Sequence, residues 1–196
     1  MTEPVRGLLL ALCLLAAAPL HALQAGDSLP QLQVDKLGEI LVQDDETGFR
    51  PWQSAPLQDR IHILQYMAAR MSARKQSKPF TDSLEKSGIS YARYHITTVV
   101  NLDDALFGTR GMVLSELEKN KRKYALSTIV ADETGRGLSL WKLEEQSSAV
   151  IMLDTSGRVL YFHQGAMEPA DIQHALDVVR GEAPGVADKA STATGK

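Results

Sequence analysis

Apolar and polar positions alternate along this chain with three different rhythms. In the first 22 residues Arg6 precedes an unbroken apolar run (GLLLALCLLAAA, 7 to 18) followed by small residues, the pattern of a secretory signal. That run is shorter than the roughly 20 apolar residues a permanent span needs, so no stable membrane insertion is expected after cleavage. Cleavage after Ala22 is expected, because Pro19 sits awkwardly behind the alternative at Ala18. A lipoprotein signal would place a small residue before Cys13, where Leu12 stands.

The second rhythm has period two. Residues 61–67 (IHILQYM) put Ile61, Ile63 and Gln65 on one face and His62, Leu64 and Tyr66 on the other, which predicts a strand. YHITTVV (94–100) is β-branched and aromatic, a second strand, and a short third one is predicted at 128–131 before a turn at 132–137. AVIML (149–153), the turn residues Asp154 to Gly157, and RVLYFH (158–163) read as an antiparallel hairpin. A further hairpin is expected around 30–45.

The third rhythm is helical. A weakly patterned helix is predicted from Ser72 to Glu85, with Pro79 kinking it or marking a second start. Residues 112–123 carry acidic residues early and basic ones late, as the helix dipole prefers. Glu168-Pro169 opens a last helix whose Ile172, Leu176 and Val179 share one face. The tail 182–196 is small, polar and Gly/Pro-punctuated, and disorder is expected there. Strand and helix alternate, so the first strands should lie parallel, with helices on both faces of one domain spanning 23–181.

Composition narrows the chemistry. With 196 residues, 44% hydrophobic and 23% charged, and a net charge of -3, the chain suits one domain that needs no metal or disulfide staple. Near-neutral balance argues against nucleic acid as the main partner. The single cysteine, Cys13, is expected to leave with the signal, and thiol exchange, thiolate metal binding and thiol nucleophilic catalysis are then excluded in the mature chain.

AGDSLPQLQV (25–34), IHILQYMAAR (61–70), VVNLDDA (99–105) and SSAVIMLDTSGRVLYFHQG (147–165) resemble the secreted thioredoxin and peroxiredoxin-like proteins. TTVVNLDDA, SELEKNK and LWKLEEQSSAVIMLDTSGR are similar to the YtfJ family of bacterial periplasmic proteins, whose biochemical role is not established. The resemblance implies a periplasmic α/β domain of thioredoxin-like (peroxiredoxin- and TlpA-like) fold, three layers α/β/α around a central mixed sheet. It also exposes two departures. The strand–helix junction where the redox cysteines would stand reads Ala69-Arg70-Met71-Ser72-Ala73-Arg74, and Ser147-Ser148 replaces the proline expected before the first hairpin strand.

Ligands of open α/β sheets sit beyond the carboxyl ends of the parallel strands. Three polar segments should converge there: Arg70, Ser72 and Arg74; Asn101, Asp103 and Asp104; and Glu144, Glu145, Ser147 and Ser148. Each has two readings. Ser72 is an anion contact or a plain N-cap. The two arginines clamp a carboxylate or phosphate, or else pair internally with Asp103 and Asp104. The Asn101–Asp104 oxygens suggest Ca²⁺ or Mg²⁺, yet six to eight ligands exceed what so short a segment supplies, and a cap or turn fits better. His62, His95, His163 and His174 show no spacing that pairs a base with Ser72 or Ser147, and no zinc motif exists, so no catalytic residue, metal or cofactor is expected. Trp52 and Trp141 fit a docking surface or the core, with the leucines around Trp141 favouring the core. The cluster KNKRK (119–123) reads as the solvated end of its helix. Together these features predict a non-redox domain that binds a periplasmic protein, a peptide or a small anion. An enzyme using metal-assisted chemistry through Asn101, Asp103 and Asp104 is the alternative.

Overall fold

The computed structural model describes residues 23–44 and 46–182. The expected signal with Cys13 and the tail from residue 183 lie outside the described residues. The chain runs β1 (Gln33–Gln43), β2 (Glu46–Gln53), β3 (Ile61–Ala68), α1 (Met71–Lys86), β4 (Tyr94–Asn101), α2 (Arg110–Lys123), β5 (Thr128–Asp132), α3 (Arg136–Trp141), β6 (Ser148–Leu153), β7 (Val159–Gln164) and α4 (Pro169–Arg180). One seven-stranded mixed sheet has the order β2-β1-β5-β4-β3-β6-β7. Its centre is parallel, β3 with β4 and β4 with β5. Both flanks are antiparallel hairpins, β1–β2 joined to β5 and β6–β7 joined to β3.

Strand alternation sorts the core into two faces. On one, Ile63, Val150 and Met152 pack with Phe80 and Leu84 of α1 and with Leu176 and Val179 of α4. Val100, Ile129 and Ala131 extend that face under Leu117 of α2. On the other face Leu64, Tyr66, Val99, Val130 and Ile151 meet Trp141 of α3 and the incoming segment at Leu32 and Val34. Three helices therefore cover one face, while the second is closed by one short helix and the N-terminal segment.

Several expectations change. The first hairpin spans 33–53 rather than 30–45. Its strands pair through Gln43↔Glu46, and a bulge lies between Val34 and Glu39. There the chain passes through Leu37 and Gly38 with positive φ, and a Cβ on Gly38 would strike the Arg50 carbonyl. Helix α1 is a single helix with Pro79 inside it. The proline lies on the exposed side, so the carbonyl it deprives of a donor belongs to exposed Lys75. Helix α3, read as part of a turn, is built by Asp132, whose carboxylate accepts the N–H groups of Arg136 (3.1 Å) and Gly137 (2.8 Å). Helix α4 begins as its residues foretell, with Pro169 in the first turn and Glu168 and Asp171 forming a reciprocal capping box. At the basic end of α2, Lys121 reaches forward to the carbonyls of Ala125 (3.1 Å) and Ser127 (2.6 Å).

Candidate functional site

Ala68, Asn101 and Asp132 end the three parallel strands side by side. Backbone bonds stitch the loops that follow: Ala69 N–H to the Asn101 carbonyl (3.0 Å), Leu102 N–H to that of Asp132 (2.9 Å), and Ala68 N–H to that of Ser147 (3.0 Å). The three polar segments picked out in the sequence therefore do converge on this edge.

Most of their polarity is used internally. Buried Asn101 turns its Oδ1 to the Asp103 N–H (3.0 Å) and donates from Nδ2 to Asp104 Oδ2 (2.9 Å). The same Asp104 oxygen accepts the Gln146 N–H at 3.4 Å, pinning the loop before β6, where Gln146 has a positive φ of 57°. Both ends of the Asn101 amide are thus committed to the turn, the arrangement a capping role requires and a metal site does not. Among the described residues no group of three or more His, Cys, Asp or Glu could hold a metal ion.

The arginines diverge. Arg74 pairs with Glu116 of α2 (3.1 Å), and the carboxylates of Asp103 and Asp104 are not its partners. Arg70 is the N-cap residue of α1, extended at φ -135° and ψ 147°, so the helix begins at Met71 and exposed Ser72 lies in its first turn without a side-chain capping bond. The expected cap at Ser72 is displaced because Arg70 still belongs to the strand exit, its N–H bonded to the Ala68 carbonyl at 2.7 Å. Arg70 Nε is buried and without a hydrogen-bond partner, the one such side-chain atom among the described residues. An orphaned buried donor of this kind costs about 1–3 kcal/mol and points to a missing acceptor. Asp103, Glu144 and Glu145 are exposed.

Two residue sets escaped the sequence reading. Gln76, one turn into α1, accepts at Oε1 from the Ser148 N–H (3.0 Å) and from Ser147 Oγ (3.3 Å). It occupies the β6 entrance and satisfies the main chain there. The second set is apolar. Met71, Leu106, Phe107 and Met112 stand exposed at the heads of α1 and α2, Phe107 fully so. Leucine and phenylalanine in a loop, in a region of polar residues, carry no periodicity that would have flagged them. Trp141 is core: it is buried, donates to the Pro30 carbonyl (2.8 Å) and meets Tyr66 edge-on at 5.8 Å. Burial, reinforced by the Asp132 charge, raises the Tyr66 hydroxyl far above the ordinary tyrosine range.

Residues 23–182 match the family model described as "Bacterial protein of unknown function (YtfJ_HI0045)". The Escherichia coli (strain K12) protein named "Uncharacterized protein YtfJ" is 34% identical over 178 residues, covering 90% of this chain and 97% of that one. Among solved structures, one from Chlorobium tepidum named for thiol:disulfide interchange (DsbE) superposes with a TM-score of 0.51 at 19% identity, covering 81% of this chain and 96% of that one. A peroxiredoxin-like protein from Aquifex aeolicus gives a TM-score of 0.51 at 12% identity, over 81% of this chain and 89% of that one. At those identities the likeness shows the fold alone, and the fold is thioredoxin-like.

Proposed function

Because the chain belongs to the YtfJ_HI0045 family of bacterial proteins of unknown function, we propose a binding role: an exported, thiol-free domain that docks a partner polypeptide at the carboxyl edge of its parallel strands. The observation that carries this reading is Arg70, whose buried Nε has no hydrogen-bond partner, at the sheet edge where exposed Met71, Leu106, Phe107 and Met112 follow the ends of β3 and β4. Large apolar side chains exposed at one edge of a domain mark interaction surfaces, and a guanidinium without an ion-pair partner suits a carboxylate or carbonyl on the incoming chain. Two other arginines of α1 and α2 are paired within the chain. Arg74 is held by Glu116 (3.1 Å) and Arg110 by Glu133 (3.5 Å). The secretory pattern of residues 1–22 supports a periplasmic location, and the loss of Cys13 with that segment supports a role without thiol chemistry.

A photo-crosslinking side chain placed at Phe107 in intact cells tests the proposal against a control position at Tyr91, which is exposed before β4 at the opposite edge. A discrete adduct from position 107, absent from 91 and lost in Arg70→Ala, is the expected result. Adducts indifferent to Arg70, or turnover of dithiols by the purified mature protein, would overturn it. Protection by small anions without any protein adduct would replace the polypeptide with an anionic ligand.

A further inference from the structure

We propose that Met71 and Met112 form a paired oxidation site that switches the docking edge from an apolar to a polar state. The inference rests on the binding role proposed above and assigns its regulation. Helices α1 and α2 lie side by side on one sheet face, tied by Arg74 and Glu116 at 3.1 Å. Met71 precedes Arg74 by three residues and Met112 precedes Glu116 by four, so helical periodicity sets each methionine one turn beyond that ion pair, towards the site. Both methionines therefore stand at the N-terminal ends of their helices, on the side of the sheet where β3 and β4 end.

Their accessibility separates them from the other methionines among the described residues. Met71 is 66% and Met112 75% exposed, whereas Met152 is 0% and Met167 7% exposed. Met67 is half-buried against Val100 and its neighbours. An exposed thioether reacts with hydrogen peroxide in a balanced two-electron step. The sulfur lone pair takes one peroxide oxygen, the S–O bond forms as the O–O bond breaks, and the proton on the transferred oxygen passes to the departing one, which leaves as water. Sulfur is oxidised and peroxide reduced. The product sulfoxide is polar and accepts hydrogen bonds. At this edge acceptors meet donors, the first-turn N–H groups of both helices, which have no acceptor within their helix. Oxidation therefore replaces two apolar surfaces of this edge with polar ones.

The test treats the purified mature chain with dilute hydrogen peroxide, maps oxygen incorporation by peptide mass spectrometry, and follows the apolar edge with anilinonaphthalene sulfonate while circular dichroism monitors the fold. One oxygen should appear at Met71 and at Met112 before Met152 or Met167. Dye fluorescence should fall several-fold, and methionine sulfoxide reductase should restore it. Met71→Leu/Met112→Leu should make the dye signal indifferent to peroxide. Oxidation of Met152 and Met167 at the same rate in folded protein, or a dye signal unaffected by oxidation at 71 and 112, would overturn the proposal. A crosslink from position 107 that ignores Arg70→Ala would instead remove the binding role and leave the oxidation map standing.

Discussion

Tyr66 donates its hydroxyl to Asp132 Oδ2 at 3.0 Å, although β3 and β5 are separated by β4. With the Arg136 and Gly137 N–H groups at 3.1 and 2.8 Å, the buried carboxylate collects three donors. It ties α3, the one helix on its face, to the middle of the sheet. Asp132→Ala leaves those donors unpaired and is expected to cost about 3 kcal/mol in urea unfolding, with Asp132→Asn intermediate because its amide keeps one acceptor oxygen. A loss within about 0.5 kcal/mol would mean that α3 is not anchored here.

Gly137 faces the same tyrosine. A Cβ on it would overlap the Tyr66 ring and stand 3.0 Å from Leu32 Cδ2. Gly137→Ala should therefore destabilise by about 2 kcal/mol through overpacking. Combining it with Tyr66→Leu should cost less than the sum of the two single changes, since the smaller side chain vacates the space. Strict additivity in a double-mutant cycle would show that the backbone shifts instead.

His62 gives the fold an acid limit. Its Nδ1 donates to the Ala55 carbonyl (3.1 Å), which leaves Nε2 to accept from Thr97 Oγ1 (2.8 Å), an arrangement of neutral imidazole. Burial above all lowers its pKa to about 4, with His95 adding to the effect. The unfolded chain, titrating near 6.5, binds the proton more readily. Stability is then complete above about pH 6.5, falls as pH drops towards 4, and levels off below, a loss on the order of 3 kcal/mol. His62→Gln should flatten most of that slope, leaving the smaller contribution of His95, which burial also lowers. Parallel slopes for the two proteins in denaturant titrations from pH 7 to 4 would refute the assignment.

Gln76 holds the start of β6 through one oxygen. Gln76→Ala should expose the Ser148 amide to solvent, read as faster hydrogen exchange there together with a loss of about 1 kcal/mol. Gln76→Glu keeps an acceptor at the same place and should retain the protection. Equal exchange in both variants would transfer the role to the Ala68–Ser147 backbone bond.

The parts of this fold written in the sequence are those whose physics is local. Residues 61–67 and 94–100 alternate with period two and appear as β3 and β4, and the turn residues 154–157 join β6 to β7. Pro169 and the Glu168–Asp171 box start α4. Even the convergence of three polar segments follows from strand order and the rule for carboxyl ends. What needed the folded chain was each side chain's partner. A six-residue helix has too few turns to show a period, so α3 emerged only when Asp132 and Tyr66 met across β4. Likewise Arg74 chose Glu116 rather than Asp103 or Asp104, and Gln76 reached Ser148 across 72 residues. Hydrogen bonds and ion pairs act over about 3 Å, a distance that sequence spacing does not encode. Local propensity thus determined the elements and the edge at which they end, while tertiary packing decided that Asp104 is occupied there and that Arg70 Nε is buried without a partner.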